Sequence, residues 1–314
     1  MGGIYQMILC CGEALIDMVP ILGTDGKTTY APFSGGAIFN TAIALGRLEV
    51  PTQFLSGVSK DLFGEQLVQE LRASGVGTDL LIRSRRPTTL AFVKLINGHA
   101  QYTFYDENSA GRMIEVDNLP AVGSDVNVVY FGGISLCAEP AASAYENLAL
   151  REAPRKILMI DPNIRTGFIE DEVAYRARLD RMIGVADIVK ISDEDLDWIS
   201  REETELDAKI WGLHHKGAGL VILTKGSKGA TAYLKGGNVV NVSVPEVTVA
   251  DTVGAGDTFN AGFLAKLYSL GILDKVTLAK VTGNEIFQAL EYAAKVAAVT
   301  VSRSGANPPY LAEL

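Results

Sequence analysis

Six short apolar runs set the strongest limit on how this chain folds. "MILCC" (7–11), "QFLSGV" (53–58), "VNVVYFGG" (126–133), "KILMID" (156–161), "DIVKIS" (187–192) and "GLVILTKG" (219–226) are bounded by Gly or Asp and read as strands. They show no polar alternation, so both faces of each strand must be covered. Between them lie helix patterns over 39–48, 63–74, 141–149, 172–183, 193–198, 204–215 and 255–270. Doubly covered strands spaced by helices predict an α/β chain with a mostly parallel central sheet between two helical layers. Ligands of such sheets bind beyond the carboxyl ends of the strands, so the loops after each run are where to look for chemistry.

Two regions break the alternation. Segments 14–33 and 88–107 carry β-branched and aromatic residues around Asp-Gly and Asn-Gly turns, with Asn97-Gly98 the expected hairpin turn. They predict antiparallel strands of a small sheet standing off the main one, placed to cover a cleft as a lid. No repeat or low-complexity linker divides the chain, so residues 1–314 are expected to form one domain with that lid. "MGGIYQ" before Met7 reads as an extension ahead of the first strand.

Composition narrows the partners. A net charge of −9 with no basic run argues against nucleic acid. Cys10, Cys11 and Cys137 form neither a disulfide ladder nor a zinc spacing, which suits a reducing compartment. No apolar stretch reaches membrane-span length and no signal-peptide shape opens the chain, so a cytoplasmic protein is expected.

The densest chemistry lies in "DTVGAGDTFNAGF" (251–263). Gly254, Ala255 and Gly256 leave their N–H groups unshielded where a helix begins, and such N–H groups with the dipole behind them hold anions. Asp257, in the first helical turn, could then take a proton from an alcohol attacking a bound phosphoryl group. The same residues also fit a plainer role, a helix capped by Asp251 with Asp257 balancing its dipole.

Beyond these local patterns, "DTVGAGDTFNAGF" resembles the C-terminal signature of the ribokinase-like (PfkB) carbohydrate kinases, and "SGGAIFNTAIALGRL" (34–48) their N-terminal signature. "GEALIDMVP" (12–20), "DPNIR" (161–165), "KISDEDL" (190–196) and "LTKGSKGA" (223–230) resemble further family segments in the family's order. The resemblance spans Met7 to Asn307 and is strongest to bacterial fructokinases, through "GEALID", "FYDENSAG" and "DPNIR". It implies a ribokinase-like three-layer α/β/α sandwich with a small β-sheet lid. It also implies ATP-dependent phosphorylation of a sugar primary hydroxyl, D-fructose to D-fructose 6-phosphate, with ATP and Mg2+ as cofactors. Kinases of 2-keto-3-deoxygluconate or ribose are the neighbouring alternatives. A catalytically silent sugar-binding regulatory protein is the alternative from another class, against which the intact Asp257 speaks.

Residue by residue, the resemblance makes Asp257 the catalytic base and Gly254, Ala255 and Gly256 the anion hole. Asp17, Gly36 and Asn40 match sugar contacts, with Tyr105 of the lid and Arg165 as further substrate-side candidates. Lys190, Ser192, Thr224, Gly226 and Gly229 match the nucleotide side. Where the family keeps an Asn-x-x-Glu motif linked to magnesium, this chain has Ser192 and Asp195, and Glu194 is the neighbouring carboxylate that could share the role. Asp251 and carbonyls of Val253, Thr300, Arg303 and Gly305 match a loop that encloses a monovalent cation, potassium, in many relatives. A homodimer through the lid is a further implication.

Other chemistries lack their signals. His99, His214 and His215 have no metal-ligand spacing. There is no G-x-x-x-x-G-K-S/T, and "GAGD" falls too late in the chain to be a dinucleotide fingerprint. Phe104 and Tyr105 are expected to fill the lid core. Asp106, Glu107 and Asn108 are expected to face the sugar and, with Asp17, to make its pocket negative, which favours a neutral hexose over a sugar acid. Arg112 and Arg165 are the cations that could offset that charge.

Overall fold

Neighbouring residues along the first strand belong to different cores. Ile8 and Cys10 pack to one side, Leu9 and Cys11 to the other, as strands covered on both faces require. A computed structural model describes residues 6–96 and 99–314; the first five residues and the expected turn Asn97-Gly98 lie outside them. The strands are β1 (Met7–Cys11), β2 (Leu15–Leu22), β3 (Thr28–Gly35), β4 (Thr52–Leu55), β5 (Gly57–Ser59), β6 (Ile82–Ser84) and β7 (Leu90–Ile96). They continue with β8 (His99–Tyr105), β9 (Val126–Gly132), β10 (Ile157–Asp161), β11 (Ile188–Ser192), β12 (Leu220–Thr224), β13 (Ala230–Leu234) and β14 (Val239–Val242). The helices are α1 (Ala37–Arg47), α2 (Leu62–Ala73), α3 (Ala141–Glu152), α4 (Glu172–Gly184), α5 (Asp193–Ile199), α6 (Leu206–Lys216), α7 (Ala255–Ser269), α8 (Lys275–Leu278) and α9 (Gly283–Val301).

The main sheet has eight strands in the order β14-β13-β12-β11-β10-β9-β1-β4. From β4 to β12 all pairings are parallel, and β13 and β14 return antiparallel at the edge. Helices α1, α2, α7 and α9 cover one face and α3, α4, α5 and α6 the other, giving three layers. The parallel strands end together, so the loops after β1, β9, β10, β11 and β12 gather along one rim of the sheet.

The helices begin and end within a few residues of the expected bounds, but three features differ from the sequence expectation. "QFLSGV" is not one strand. It bends at Ser56, whose carbonyl accepts from Ile82 N at 2.9 Å, and β5 leaves to pair with β6. The hairpin β13–β14 and the long helix α9 were not expected. Thr300 and Val301, expected in a loop, form the last turn of α9. Its start carries a capping box, Thr282 with Glu285 at N3, and apolar residues at 286, 289, 290, 293 and 296 give it a helical stripe.

The second sheet runs β3-β2-β7-β8. Each half is an antiparallel hairpin as expected, but the halves join through a parallel pairing of β2 with β7, Asp17 opposite Ala91. Strand alternation puts Asp17, Phe33, Tyr102 and Phe104 on one face. Tyr30, Phe92 and Tyr105 stack edge to face on the other, at 5.1 and 5.5 Å.

Helix α7 lies against α9 closely enough that a Cβ added to Gly262 would come within 2.8 Å of Ala293 Cα. Gly262→Ala gains about 1 kcal/mol of helix propensity, but overpacking against backbone costs about 1–3 kcal/mol. The net expectation is a loss of about 1 kcal/mol, read as a lower urea midpoint. A midpoint equal to the parent's would show that the two helices part freely.

Candidate active site

At the rim of the main sheet, beneath the small sheet, lies a cleft of about 870 Å³. Its floor is the start of α7. Gly254 is the residue before the first helical turn and has φ 76°, a left-handed conformation that glycine adopts without strain. The N–H groups of the first turn have no partner within the helix and sit at its positive end. Ala255, Gly256 and Asp257 all line the cleft.

Asp257 is buried, and its Oδ2 accepts from Asn40 Nδ2 at 2.9 Å. The next residue on α1, Thr41, donates from Oγ1 to the Asp257 carbonyl at 3.2 Å. Burial pushes the Asp257 carboxyl up to about 7, aided by the charges of Asp161 and Glu13 and opposed by the Asn40 hydrogen bond and by Lys190. Among the described residues, Oδ1 has no hydrogen-bond partner and is left for a ligand.

Asp17 is at the other end of the cleft, on the lid. A Cβ on Gly35 would overlap its Oδ2, so the bare glycine makes room for the carboxylate. Burial raises Asp17 to about 6. Gly36, with φ 108°, precedes α1 and passes so close to Glu13 that a Cβ there would lie 2.9 Å from the Glu13 carbonyl.

Glu13 itself was missed at the sequence level. Its Oε1 accepts from Ala37 N at 3.0 Å and its Oε2 from Ser135 N at 3.2 Å, so one carboxylate joins α1 to the loop after β9. It lies in "GEALID", two residues past the expected strand end at Cys11, and that position was the available signal.

Of the aromatics on β8, Phe104 and Tyr102 line the cleft, beside Phe168 and Trp198, and Tyr105 does not. Tyr105 occupies the opposite face of β8, because alternate strand residues point apart. Phe104 is therefore no lid-core residue either; its ring meets Phe168 of the loop after β10, centroids 3.9 Å apart. Tyr102 feels the cleft charges, since burial and Asp17 raise its phenol while Arg165 lowers it. Asp106 does not face the cleft. Its Oδ1 accepts from Thr89 Oγ1 at 2.6 Å and Ser109 Oγ at 2.7 Å, which builds the turn leaving β8. The cleft is still acidic, through Glu13, Asp17, Asp161, Glu194, Asp195 and Asp257 against Arg165 and Lys190.

Arg165 lines the cleft, held by Nη1 to the Ile164 carbonyl at 3.0 Å, and makes no ion pair among the described residues. The nearby carboxylate of Glu170 is instead paired with Arg112 at 3.1 Å. Lys190, Ser192 and Thr224 follow one another along the rim, at or near the ends of β11 and β12. Ser192 caps α5 by accepting from Asp195 N at 3.0 Å. Asp195 also lines the cleft but is buried, accepting from Ile164 N at 3.2 Å, and burial raises it to about 6, so Glu194 is the more open of the two carboxylates. The cleft lining stops at Thr224; Gly226 and Gly229 shape the turn into β13 behind it.

The pfkB family carbohydrate kinase profile matches residues 6–313. The chain belongs to that family. Over 274 residues it is 52% identical to a fructokinase of Rhizobium leguminosarum bv. trifolii, covering 87% of this chain and 83% of that one. A fructokinase of Xylella fastidiosa solved with bound ATP superposes with a TM-score of 0.88 at 29% identity, over 96% of this chain and 93% of that one. A fructokinase of Vibrio cholerae O395 solved with fructose, ADP and calcium superposes at 0.83 and 25% identity, over 96% and 95%. The ribokinase-like sandwich with its small second sheet is thus the fold of this kinase.

One further cluster in the kinase flanks the start of α7. Asp251 accepts from Val253 N at 3.0 Å and from Gly305 N at 2.9 Å, tying the two expected cation loops together. The carbonyl of Gly305 accepts one backbone N–H, from Asn307, which leaves it a second lone pair, while that of Thr300 accepts from both Ser302 and Arg303. The Arg303 side chain turns outward to Glu313 at 2.7 Å. Among the described residues no helix is long and apolar enough to cross a membrane, and no cluster of His, Cys, Asp and Glu has a metal-holding arrangement.

The raised Asp257 carries a stability cost of known sign. Its folded value of about 7 exceeds the ordinary 3.8, so its contribution is intact below 3.8 and is lost as pH rises through about 7. Asp257→Asn is therefore expected to melt higher than the parent above pH 7, with the gap closing as pH falls. Parallel melting curves across pH would contradict this burial of charge.

Proposed function

We propose that this kinase phosphorylates D-fructose at its primary hydroxyl, giving D-fructose 6-phosphate and ADP from ATP. The observation that carries the reading is a buried carboxylate, Asp257, with one oxygen held by Asn40 and the other left open beside a helix N-terminus. The 52% identity to a fructokinase supports the choice of sugar.

In this scheme the sugar lies between Asp17, Gly36, Asn40 and Arg165, with Tyr102 taking the lid position expected of Tyr105. Asp17 accepts hydroxyl hydrogens, and Asn40 can both give and accept. Asp257 Oδ1 takes the proton of the attacking hydroxyl as its oxygen bonds to the γ-phosphorus. The bond from that phosphorus to the bridging oxygen breaks, and ADP leaves with the electron pair. A base near pH 7 holds enough anion to accept the proton and enough basicity to want it. The N–H groups of Gly254 and Gly256 offset charge on the phosphoryl oxygens, and Ala255 N–H, which donates to the Thr252 carbonyl at 3.3 Å, would be shared with them. Ser192 and Thr224 carry the nucleotide side, with Gly226 and Gly229 shaping its loop.

The oxygen donors at this end fit Mg2+, a hard ion that keeps part of its water shell. Glu194, exposed in the cleft lining, is the carboxylate that would hold it. Bound there, Mg2+ would neutralise β- and γ-phosphate charge. The loops clasped by Asp251 would hold potassium through the carbonyls of Val253, Thr300, Arg303 and Gly305. The lid face that carries Asp17 also leaves Ile21 and Phe33 about half exposed, at 49% and 55%, a surface that suits pairing of two lids in a homodimer.

Arg165, without an ion-pair partner, supports a second reading, a sugar-acid kinase in which it would grip a carboxylate. Six acids against two cations in the cleft weigh for the neutral sugar. The test is ADP release with magnesium ATP over fructose, ribose and 2-keto-3-deoxygluconate. A higher kcat/KM for fructose is expected, and preference for the acid would overturn the assignment.

Three outcomes test the residues. Asp257→Asn is expected to lose about 10²–10⁴ in kcat, with ATP binding retained by calorimetry. In the parent, kcat is expected to fall as pH drops below about 7, where Asp257 takes up a proton. Potassium is expected to raise the rate over a bulky organic cation at equal ionic strength; equal rates would remove the cation site.

A further inference from the structure

Lys190 is a buried cation with unused donors. Its ammonium donates to Asp161 Oδ2 at 2.9 Å, its one hydrogen bond among the described residues, although an ammonium has three N–H groups. Only 7% of the Lys190 side chain and 1% of Asp161 reach solvent, so a further partner must come from the cleft side. Lys190 nevertheless lines the cleft, and its Nζ is 3.3 Å from where a Cβ on Gly256 would stand. Gly256 belongs to the first turn of α7, which is already positive, and a cation beside a helix N-terminus is unfavourable in itself. Two positive features meet, and among the described residues Asp161 is the one carboxylate bonded to Lys190. An anion on the cleft side is what would satisfy both.

The ion pair is held from behind. Asn260, one turn past Asp257 on α7, donates from Nδ2 to Asp161 Oδ2 at 2.7 Å and to Tyr130 Oη at 2.9 Å. Both Asn260 and Tyr130 are fully enclosed. The helix that carries Asp257 therefore also fixes the carboxylate that aims Lys190.

We propose that Lys190 is a catalytic residue whose ammonium meets the transferring phosphoryl group at the N-terminus of α7, with Asp161 and Asn260 as positioning residues. The inference rests on the cleft being a phosphoryl-transfer site, and it assigns Lys190 to the moving group rather than to the resting nucleotide. Charge spreads over the equatorial oxygens as the bond to the bridging oxygen breaks and the bond to the sugar oxygen forms. A cation fixed in advance stabilises that charge without reorganising. Lys190 moves no proton; the hydroxyl proton goes to Asp257.

Lys190→Met alone strands the buried Asp161 charge, so Lys190→Met/Asp161→Asn, which removes both charges, is the decisive variant, with its fold checked by circular dichroism. Calorimetry compares ADP with magnesium alone and with aluminium fluoride, a stand-in for the phosphoryl group in flight. The double variant is expected to bind ADP like the parent, to lose the gain in affinity that fluoride brings, and to lose on the order of 10²–10³ in kcat with KM for fructose little changed. The pH profile separates aiming from mere packing. Asp257 is faced by Glu13, Asp161, Lys190 and Tyr130 and is bonded by Asn40, and Lys190 alone among the charged neighbours lowers it. The single Met variant should therefore move the acidic limb of kcat to higher pH, and the double variant should move it less. A folded double variant that keeps the fluoride gain overturns the proposal, as does one that weakens ADP alone by as much as it slows turnover. A parent that shows the fluoride gain but phosphorylates none of the sugars would instead overturn the choice of substrate and leave Lys190 in place.

Discussion

The hydrogen bond between Asn40 and Asp257 joins residues 217 positions apart, and the whole cleft is arranged around it. It holds the starts of α1 and α7 together at the sheet rim, with Thr41 adding a second link to the Asp257 carbonyl. One helix start is anchored by Glu13 from the loop after β1, the other by Asp251 from the loop before it. Two positive helix ends thus converge on one space, and the acids around them are what makes that tolerable.

The distribution of buried charge separates the two ends of the cleft. At the lid end Asp17 stands in the space left by Gly35, raised by burial alone, with no cation against it. At the rim end Asp161 is paired and braced. An unpaired carboxylate that gives up water gains most from hydroxyl donors, and a braced ion pair gains most from being kept still. The difference matches a sugar at one end and phosphate chemistry at the other.

Much of this could be read in the sequence because it is local. Unbroken apolar runs gave the buried strands, and "DTVGAGDTF" marked a helix start with a carboxylate in its first turn. What escaped was set by non-local geometry. Tyr105 and Phe104 are adjacent, and only the strand's phase against the main sheet decides which one sees the cleft. Asp106 reads as a cleft acid until Thr89 and Ser109 are seen to claim it. Asn260 carried no signal except its spacing from Asp257, because its partners, Asp161 and Tyr130, come from two other strands. Helix α9 was different: its capping box and apolar stripe were there to be read.

The position of α9 bears on how the protein is made. The loop that leads into Asp257 is pinned by Ala250 N and Asp251 N, both donating to the Val301 carbonyl at the end of α9, at 2.8 and 3.2 Å. Asp251 in turn grips Gly305 N. On the ribosome, the lid hairpins and the first parallel strands emerge long before residues 301–305 exist to fix that loop. A nascent chain can therefore gather a sheet and the lid end of the cleft while Asp257 and the start of α7 are still unanchored. Synthesis runs at about 5–20 residues per second, so this incomplete form persists for on the order of ten to thirty seconds, with the α1 face that will receive α7 still bare. For this protein the interval of greatest exposure to chaperones and proteases is set by how late its pinning residues arrive.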